Sequence, residues 1–439
     1  MTENLAQTSS DKQGEQRGPS PLLPRPKLLQ LSLLFAALYF IQGATEPTDG
    51  LTAQPLMSWL RRSGQTASQI ASLGALLWIP WAIKPLYGVL SDFFPLAGYH
   101  RKSYLIAATG ITSASLALVF ALQPAAGSVH LAVLLFAATL GVALSDVVVD
   151  AIIVEKGQPA GLTGRFQAIG WASLYAAAIC TGTLGGWISE SAREELSFLV
   201  CSALALVSLL LALCFISERR ATATRGELRE TLLVWRDSIR SPYLFIAGAF
   251  LFCLNFNPFS AITFYLYTTE ELGLSEQFFG DLQSIDAVGA LCGCLLYAWY
   301  CRRLAPRSLV LGSIALSVAS TLAYWALRDA TTARAVVAFS GFALATATVI
   351  QLDLAARICP PRVAGTLFAI LMALGNLGTM LSRWLGGMLY EQWQEPLGSY
   401  GAFNLLVGLG GLTSALCVFF VPQLTAALSR QHLPSNRTA

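Results

Sequence analysis

The chain has 439 residues, of which 55% are hydrophobic and only 12% are charged. This charged fraction is about half that of a soluble domain, and the apolar residues fall in runs of roughly 20, long enough to cross a hydrocarbon core of about 30 Å. The net charge of +3 gives no indication of nucleic-acid binding, because the basic residues cluster between the apolar runs. Composition therefore excludes a soluble globular protein and predicts an all-α membrane protein.

The apolar runs predict twelve transmembrane helices, of which the first is long and interrupted. These spans are residues 29–58, 68–90, 103–123, 129–152, 165–189, 195–217, 242–268, 276–300, 308–327, 335–357, 363–390 and 400–422. A charged connector that cannot enter a bilayer separates them into two sets of six. The predicted domains are a tail (1–28), a six-helix bundle (29–217), a connector (218–241), a second six-helix bundle (242–422) and a tail (423–439).

The basic residues predict how the chain is oriented in the membrane. Of the 28 Lys and Arg residues, 21 lie in the two tails, the connector and the loops on the same side of the membrane. The positive-inside rule then places both termini in the cytoplasm, and we expect a bacterial inner membrane or an equivalent cell membrane. The first apolar run is too long for a removable signal peptide.

The two halves of the chain resemble each other. The segment GVALSDVVVDAII from Gly141 is matched 200 residues later by GFALATATVIQLD from Gly341, and GRFQAIGWASL from Gly164 is matched by GTLFAILMALG from Gly365. Helices 4 and 5 therefore repeat as helices 10 and 11 in the same order and direction. Two bundles related by an axis along the membrane normal are typical of one large class of secondary transporters.

The loop between the second and third spans resembles a transporter signature. In IPWAIKPLYGVLSDFFPLAGYHRK, the order Gly88, Asp92, Gly98 and Arg101-Lys102 is similar to the helix 2–3 loop of major-facilitator transporters. We expect the helix to end at Gly88, Asp92 in the turn to bond to a neighbouring helix, and the basic pair to stay cytoplasmic. An ordinary short basic loop is the alternative, because positive-inside statistics often produce one.

The first helix of each half is broken near its middle. Helix 1 reads YFIQGATEPTDG around Pro47, and helix 7 reads LFCLNFNPFSA around Pro258. Proline removes a backbone hydrogen bond, and interrupted segments at corresponding places in two halves indicate a transporter's binding site. A proline kink without any ligand role is the alternative.

Charged residues within the spans must have a partner or a function, because an ionised side chain at bilayer depth costs at least about 2.5–3.5 kcal/mol. We expect Lys84 to pair with Asp146 or Asp150 in a structural or gating role, and Asp353 to pair with Arg357. Glu46, Asp49 and Asp286 are the candidates for an acid that exchanges its proton during transport, since burial raises the pKa of a carboxyl group. The full set of candidates for substrate binding or proton coupling is Gln42, Glu46, Asp49, Asn255, Asn257, Asp286 and Arg383, and the set for gating or ion pairing is Lys84, Asp92, Arg101, Lys102, Asp146, Asp150, Asp353 and Arg357.

The segment ASQIASLGALLWIPWAIKPLYGVLSDFFPLAGYHRKSYL closely resembles the helix 2–3 region of the folate–biopterin transporter family, a branch of the major facilitators. LSDVVVDAIIVEKG, the following Gly164, Gln167 and Trp171, and YFIQG from Tyr39 are also similar to that family, whereas ATEPTDG departs from its more apolar helix 1. The resemblance implies a major-facilitator fold and a secondary active transporter of a pterin or folate that works by alternating access. We expect coupling to protons, a monomer in the lipid bilayer, and no nucleic-acid partner. The helix 4 pattern and TAQPLMSWLRR also resemble the muropeptide permeases, and a non-transporting receptor or scaffold is the alternative of another class.

A pterin carrier would need a carboxylate for two adjacent ring N–H donors, which Glu46 or Asp49 offers, and flat aromatic neighbours such as Trp78 and Trp81. A folate would add a glutamate tail, for which Arg383 or Lys84 is a possible cation. The sequence has no GxSxG elbow, HExxH pair or P-loop, so we predict no enzyme activity, no catalytic residues, no metal site and no cofactor.

Overall fold

The structure is a computed structural model that describes residues 24–157, 162–218, 220, 242–300, 304–358 and 364–430. These residues form helices connected by short turns. The helices are α1 (Arg25–Thr45), α2 (Ala53–Arg62), α3 (Ala67–Ala82), α4 (Lys84–Phe93), α5 (Lys102–Leu122), α6 (Val129–Gly157), α7 (Thr163–Glu190), α8 (Glu195–Phe215), α9 (Pro242–Asn255), α10 (Ala261–Leu266), α11 (Glu276–Tyr300), α12 (Pro306–Leu322), α13 (Ala330–Ile358), α14 (Ala364–Leu416) and α15 (Val421–Arg430).

The described helices provide twelve membrane crossings. Ten helical segments are long and apolar enough to cross a membrane. One of these, Phe368–Ala426, has 59 residues and provides two crossings, because its backbone leaves the helical region at Gly398 (φ 72°, ψ 166°). The remaining crossing is helix 7, in which α9 and α10 are separated by a break. The predicted number of transmembrane helices is therefore confirmed.

The internal repeat is visible in the helix boundaries. Helices α6 and α13 each have 29 residues and begin 201 positions apart, at Val129 and Ala330. Helices α7 and α14 also begin 201 positions apart, at Thr163 and Ala364. This spacing agrees with the offset of about 200 residues in the sequence, so helices 4–5 and 10–11 are structural equivalents.

Both predicted proline breaks are present. Helix α1 ends at Thr45, and Glu46 takes an extended conformation (ψ 122°), as expected for a residue that precedes proline. The chain turns through residues 46–52 before α2 begins. In the second half, residues 256–260 separate α9 from α10. We refer to residues 46–52 and 256–260 as the helix 1 break and the helix 7 break.

The second span departs from prediction in two ways. It is broken at Ile83 (φ −99°, ψ 14°), after which Lys84 and Pro85 begin α4, a position that suits proline because its missing N–H needs no partner in the first turn. The helix does not end at Gly88, since α4 continues to Phe93. Asp92 therefore lies in the last turn of a helix and not in the following loop.

The two bundles pack closely along two seams. One seam brings α7 against α11, where a Cβ added at Gly280 would lie 2.3 Å from the backbone oxygen of Gly182. The other brings α3 against α14, where a Cβ added at Gly387 would lie 2.1 Å from the Cβ of Ala71. Such close approach requires small residues, as is common between helices in membranes.

The described parts of the two bundles are hydrogen-bonded to each other at one end of the molecule. We call this end, where α2 finishes, the Arg61 face, and the opposite end, where α5 starts, the Arg101 face. Among the described residues, hydrogen bonds connect the two bundles at the Arg61 face, where Arg61 bonds to Glu270. Others lie deeper in the seams, where Asn376 bonds to Trp81 and Cys294 bonds to Tyr175. The described ends of the bundles at the Arg101 face share no hydrogen bond.

Candidate functional site

Glu46 is the first residue of the helix 1 break and is buried. Its Oε2 accepts hydrogen bonds from the backbone N–H of Thr48 (2.5 Å) and of Asp49 (3.4 Å) and from the Thr48 hydroxyl (3.2 Å). Its Oε1 accepts from the indole Nε1 of Trp81 at 3.1 Å. A carboxylate has about four acceptor sites, so four donors leave Glu46 little capacity for a ligand, and the geometry favours a role in holding the break.

Asp49 forms an ion pair across the two bundles. Arg383 on α14 donates from Nη2 to both oxygens of Asp49, at 2.9 Å and 3.2 Å. The guanidinium carbon also lies 4.6 Å from the centre of the Trp78 ring, a cation–π distance. The side chain of Asp49 is half exposed and that of Arg383 is 22% exposed, so the pair is accessible to a solute.

The two breaks line a common cavity of about 530 Å³, counting the space open to solvent. Pro47 and Thr48 contribute from the helix 1 break, Ser260 from the helix 7 break, and Arg383 from α14. The remaining lining residues come mainly from α2 and α3 and are mostly apolar. The structure thus brings together the two interrupted segments that the sequence pairs by their prolines.

Lys84 pairs with Asp146, which is the first of the two alternatives offered by the sequence. The Lys84 Nζ lies 2.5 Å from Asp146 Oδ2, and Gln42 donates to Asp146 Oδ1 at 2.6 Å. The ammonium also lies 4.3 Å from the centre of the Trp81 ring. Gln42 was expected in the substrate site, but its amide is engaged inside the first bundle.

Asp150 lies one turn further along α6 and has its own donors. The Tyr39 hydroxyl donates a short hydrogen bond to Asp150, and Gln167 donates to it at 3.0 Å. Among the described residues Lys84 is the only cation that pairs with these two aspartates. Helix 4 thus carries two carboxylates for one ammonium, and we refer to Lys84, Asp146, Asp150, Gln42, Tyr39 and Gln167 as the Lys84 network.

The loop at the Arg101 face is organised by Arg101. Its guanidinium pairs with Asp92 on α4 (2.5 Å) and with Glu155 on α6 (2.8 Å), and it donates to the Ser91 hydroxyl at 2.7 Å. Asp92 therefore reaches the neighbouring helix through Arg101 and not directly. Lys102 donates from Nζ to the carbonyl of Leu213 on α8 (2.9 Å).

Glu218 completes this loop from the end of the first bundle. Its two carboxylate oxygens accept from the backbone N–H groups of His100 (2.8 Å), Arg101 (3.0 Å) and Lys102 (2.8 Å). Helix N-termini have free N–H groups that need such an acceptor. Glu218, the first residue of the predicted connector, thus bonds to the first bundle; residues 219 and 221–241 lie outside the described chain.

The asparagines of helix 7 bond within the second bundle. Asn255 donates to the Leu251 carbonyl (2.8 Å) and to Gln351 Oε1 (2.9 Å). Asn257 donates to the Thr321 hydroxyl (2.7 Å) and accepts from the backbone N–H of Phe259 (3.1 Å). Glu46 and Asn257 each precede the proline of their break, but neither asparagine forms a hydrogen bond with Glu46.

Two acids of the second bundle have different surroundings. Asp286 on α11 packs against Gly341 of α13, and none of the described residues forms a hydrogen bond or an ion pair with its carboxylate. Asp353 accepts from the Tyr297 hydroxyl at 2.7 Å. Arg357 is the expected partner of Asp353, and its side chain lies outside those that the structure describes.

A polar cluster that the sequence does not predict closes the Arg61 face. Glu276 at the start of α11 accepts from Gln54 (2.9 Å) and Ser58 (3.0 Å) of α2 and from Tyr265 (2.5 Å). Arg61 forms an ion pair with Glu270 beside it. The sequence signal was weak, because charged residues at the outer ends of spans are ordinary and these partners are more than 200 positions apart.

Comparison with known proteins identifies the family. The BT1 family model matches residues 50–437, that is, the chain from the helix 1 break onward. The chain belongs to the BT1 family. The "Folate-biopterin transporter" of Synechocystis sp. is 29% identical over 415 residues, covering 90% of this chain and 81% of the relative. The "Probable folate-biopterin transporter 4" of Arabidopsis thaliana is 25% identical, covering 90% of this chain and 96% of the relative.

Solved structures agree with the fold of this BT1 family member. The crystal structure of a D-xylose-proton symporter superposes with a TM-score of 0.69 at 15% identity, covering 91% of this chain and 99% of the symporter. The predicted major-facilitator fold is therefore confirmed. The BT1 family and the fold are those of multi-pass membrane transporters and not of enzymes.

Proposed function

We propose that this BT1 family member is a secondary active transporter that moves a pterin or folate across a cell membrane by alternating access. The observation that carries the proposal is the family match over residues 50–437, together with relatives named as folate-biopterin transporters that align with nine-tenths of the chain. The surroundings of the helix 1 break supply the chemistry that a pterin conjugate requires: Trp78 and Trp81 of α3 for its flat ring, and the Asp49–Arg383 pair for its polar groups.

The arrangement of the bundles supports alternating access. The polar cluster at Glu276 and the two glycine seams hold the Arg61 face closed, whereas the described ends at the Arg101 face are not bonded to each other. We assign the Arg101 face to the cytoplasm from the distribution of basic residues, so the closed Arg61 face is the outer one. A transport cycle would open the Arg61 face by breaking the Glu276 and Arg61 contacts.

We further propose that transport is coupled to protons and that Asp286 carries the proton. An ionised carboxylate at bilayer depth is costly without a partner, and Asp286 has none among the described residues, whereas Glu46 has four donors and Asp49 has Arg383. Tyr175 on α7 and Tyr324 after α12 lie near Asp286, and neither of them is a cation. A neutral, protonated Asp286 fits this setting better than a charged one.

Uptake by the purified protein in liposomes tests the substrate. Radiolabelled folic acid, biopterin and a muropeptide would each be supplied outside, with protein-free liposomes as the control. We expect accumulation of folic acid or biopterin and none of muropeptide. Muropeptide uptake alone would contradict the pterin assignment, and binding without uptake of any solute would favour a receptor.

An imposed pH gradient tests the coupling. Asp286→Asn should abolish accumulation driven by the gradient but preserve exchange of labelled for unlabelled solute, because exchange needs no net proton movement. Glu46→Gln is the comparison, and it should not lose coupling selectively. The assignment is wrong if Asp286→Asn accumulates solute normally, or if Glu46→Gln alone loses the gradient response.

A further inference from the structure

The guanidinium of Arg383 has hydrogen-bond donors that its protein partner does not use. Both of its bonds to Asp49 come from the same nitrogen, Nη2. A guanidinium carries five N–H donors in a fixed fork, and neither Nε nor Nη1 of Arg383 forms a hydrogen bond with the described residues. The geometry therefore leaves room for a second acceptor.

Arg383 is also held in place at an accessible position. Asp49 fixes it from helix 1, and the ring of Trp78 lies under it at 4.6 Å. It lines the cavity shared by both breaks and keeps 22% of its side chain exposed. A cation that is already oriented loses less conformational entropy when it binds an anion.

The other cation near this site is less suited, because an ammonium lacks the planar fork that matches a carboxylate. Lys84 is bound to Asp146 at 2.5 Å and rests on the Trp81 ring at 4.3 Å. Removing it from Asp146 would leave a buried carboxylate without its counter-charge, which is strongly unfavourable. Of the two cations that the sequence offers for an anionic group, the structure thus favours Arg383.

We propose that Arg383 binds a carboxylate of the transported solute through its unused donors, and that Asp49 is a positioning residue for the guanidinium. The preferred substrates are then pterin conjugates with a carboxylate tail, that is folates, and not uncharged pterins. Arginine suits this task because its fork matches a carboxylate in a bidentate pair. This inference rests on the proposed transport of pterins or folates and narrows it to one chemical class.

Equilibrium binding to the purified protein tests the inference, with quenching of tryptophan fluorescence as the signal. Folic acid carries the tail carboxylates and biopterin does not. Arg383→Gln should weaken folic acid binding about 10- to 100-fold, the range for losing a hydrogen-bonded charged group. Biopterin binding should change little, and its persistence in the same sample shows that the variant is folded.

Asp49→Asn is the matched control, because it breaks the same ion pair and leaves the guanidinium in place. We expect it to weaken folic acid binding, because the guanidinium is then less well positioned, but by clearly less than Arg383→Gln does. Equal losses of folic acid in Asp49→Asn and Arg383→Gln would mean that only the ion pair matters, and would overturn the proposal, as would unchanged folic acid binding in Arg383→Gln.

Two further outcomes separate this inference from the proposed function. If the unsubstituted protein binds biopterin but not folic acid, the carboxylate site is wrong while pterin transport stands. If it binds neither, the proposed function fails and the inference fails with it. If Arg383→Gln does not fold, Arg383→Lys replaces it, because lysine keeps the charge but lacks the fork. We expect Arg383→Lys to bind folic acid more weakly than the unsubstituted protein does. Equal affinity of the two proteins would overturn the proposal.

Discussion

Replacing Lys84 by methionine removes the ammonium of the Lys84 network while keeping most of the side chain's apolar length against Trp81. Asp146 then keeps only its bond from Gln42, at 2.6 Å, and Asp150 keeps its bonds from Tyr39 and Gln167. Helix 4 would carry two carboxylates for which the described residues offer no cation. We expect a large loss of stability.

The size of the loss follows from the burial of the pair. Removing one partner of a buried ion pair costs about 3–5 kcal/mol. The side chains of Lys84 and Asp146 are 23% and 10% exposed, and Gln42 remains, so we expect the lower end, about 3 kcal/mol. This corresponds to about a 150-fold change in the folding equilibrium constant.

A double-mutant cycle measures the interaction. Lys84→Met, Asp146→Asn and the double variant would be unfolded by denaturant in mixed micelles, and their folic acid uptake would be measured in liposomes. The double variant should recover a large part of the stability and some of the transport lost by Lys84→Met, because no carboxylate is left unpaired at position 146. Lys156→Met, which removes an exposed lysine of α6, is the control and should behave as the unsubstituted chain.

Two results would refute this reasoning. Normal stability and uptake of Lys84→Met would show that the pair contributes nothing. Equal defects in the single and double variants would show that the ammonium acts through another group than Asp146.

Three other variants test separate parts of the molecule. From its predicted gating role, Asp92→Asn should slow uptake while leaving equilibrium solute affinity nearly unchanged, because Asp92 pairs with Arg101 inside the first bundle; a large affinity loss at normal turnover would contradict this. Gly280→Val should force the seam at Gly182 apart and expose the Arg61 face, measured as faster labelling of a cysteine at the buried position Ser58; unchanged labelling would disprove the seam. Asp329 caps α13 by accepting from backbone N–H groups, chiefly that of Thr332, and these bonds lower its pKa below the ordinary 3.8. Its stabilising effect is therefore present above that value and lost as the pH falls further, so Asp329→Ala should reduce thermal stability at neutral pH, with the difference from the unsubstituted chain shrinking in acid. A difference that persists in acid would show another cause.

Much of the fold can be predicted from the sequence, because the bilayer imposes simple rules. Apolar runs of membrane length predict the spans. The similar segments that begin at Gly141 and at Gly341 predict the symmetry of the two bundles. Pro47 and Pro258 mark the two breaks, since proline cannot continue the backbone hydrogen bonding of a helix. The break at Ile83 cannot be predicted in this way, because the apolar run continues through it and through the nearby Pro80 and Pro85.

The candidate site is predictable in its members but not in its pairings. A charge within a span indicates that a partner exists, and Lys84 was matched correctly with helix 4 because both lie at similar depth. Periodicity within one helix says nothing about which residue of a distant helix it faces. Asp49 and Arg383 are 334 positions apart, so their pairing emerges only when the bundles are assembled. The hydrogen bonds from the backbone N–H groups of Thr48 and Asp49 to Glu46 cannot be predicted from the sequence either, because they depend on the backbone path after Pro47.

The hydrogen bonds of Glu218 extend the first half of the molecule beyond its last apolar helix. Hydropathy alone would cut the chain after the last apolar residue of α8, at Phe215. A half-molecule ended there would lack the acceptor for three backbone N–H groups at the start of α5. Attempts to produce the carrier as two separate polypeptides should therefore keep Glu218 with the first one, since the boundary of the folding unit lies beyond the boundary of the lipid-embedded helix.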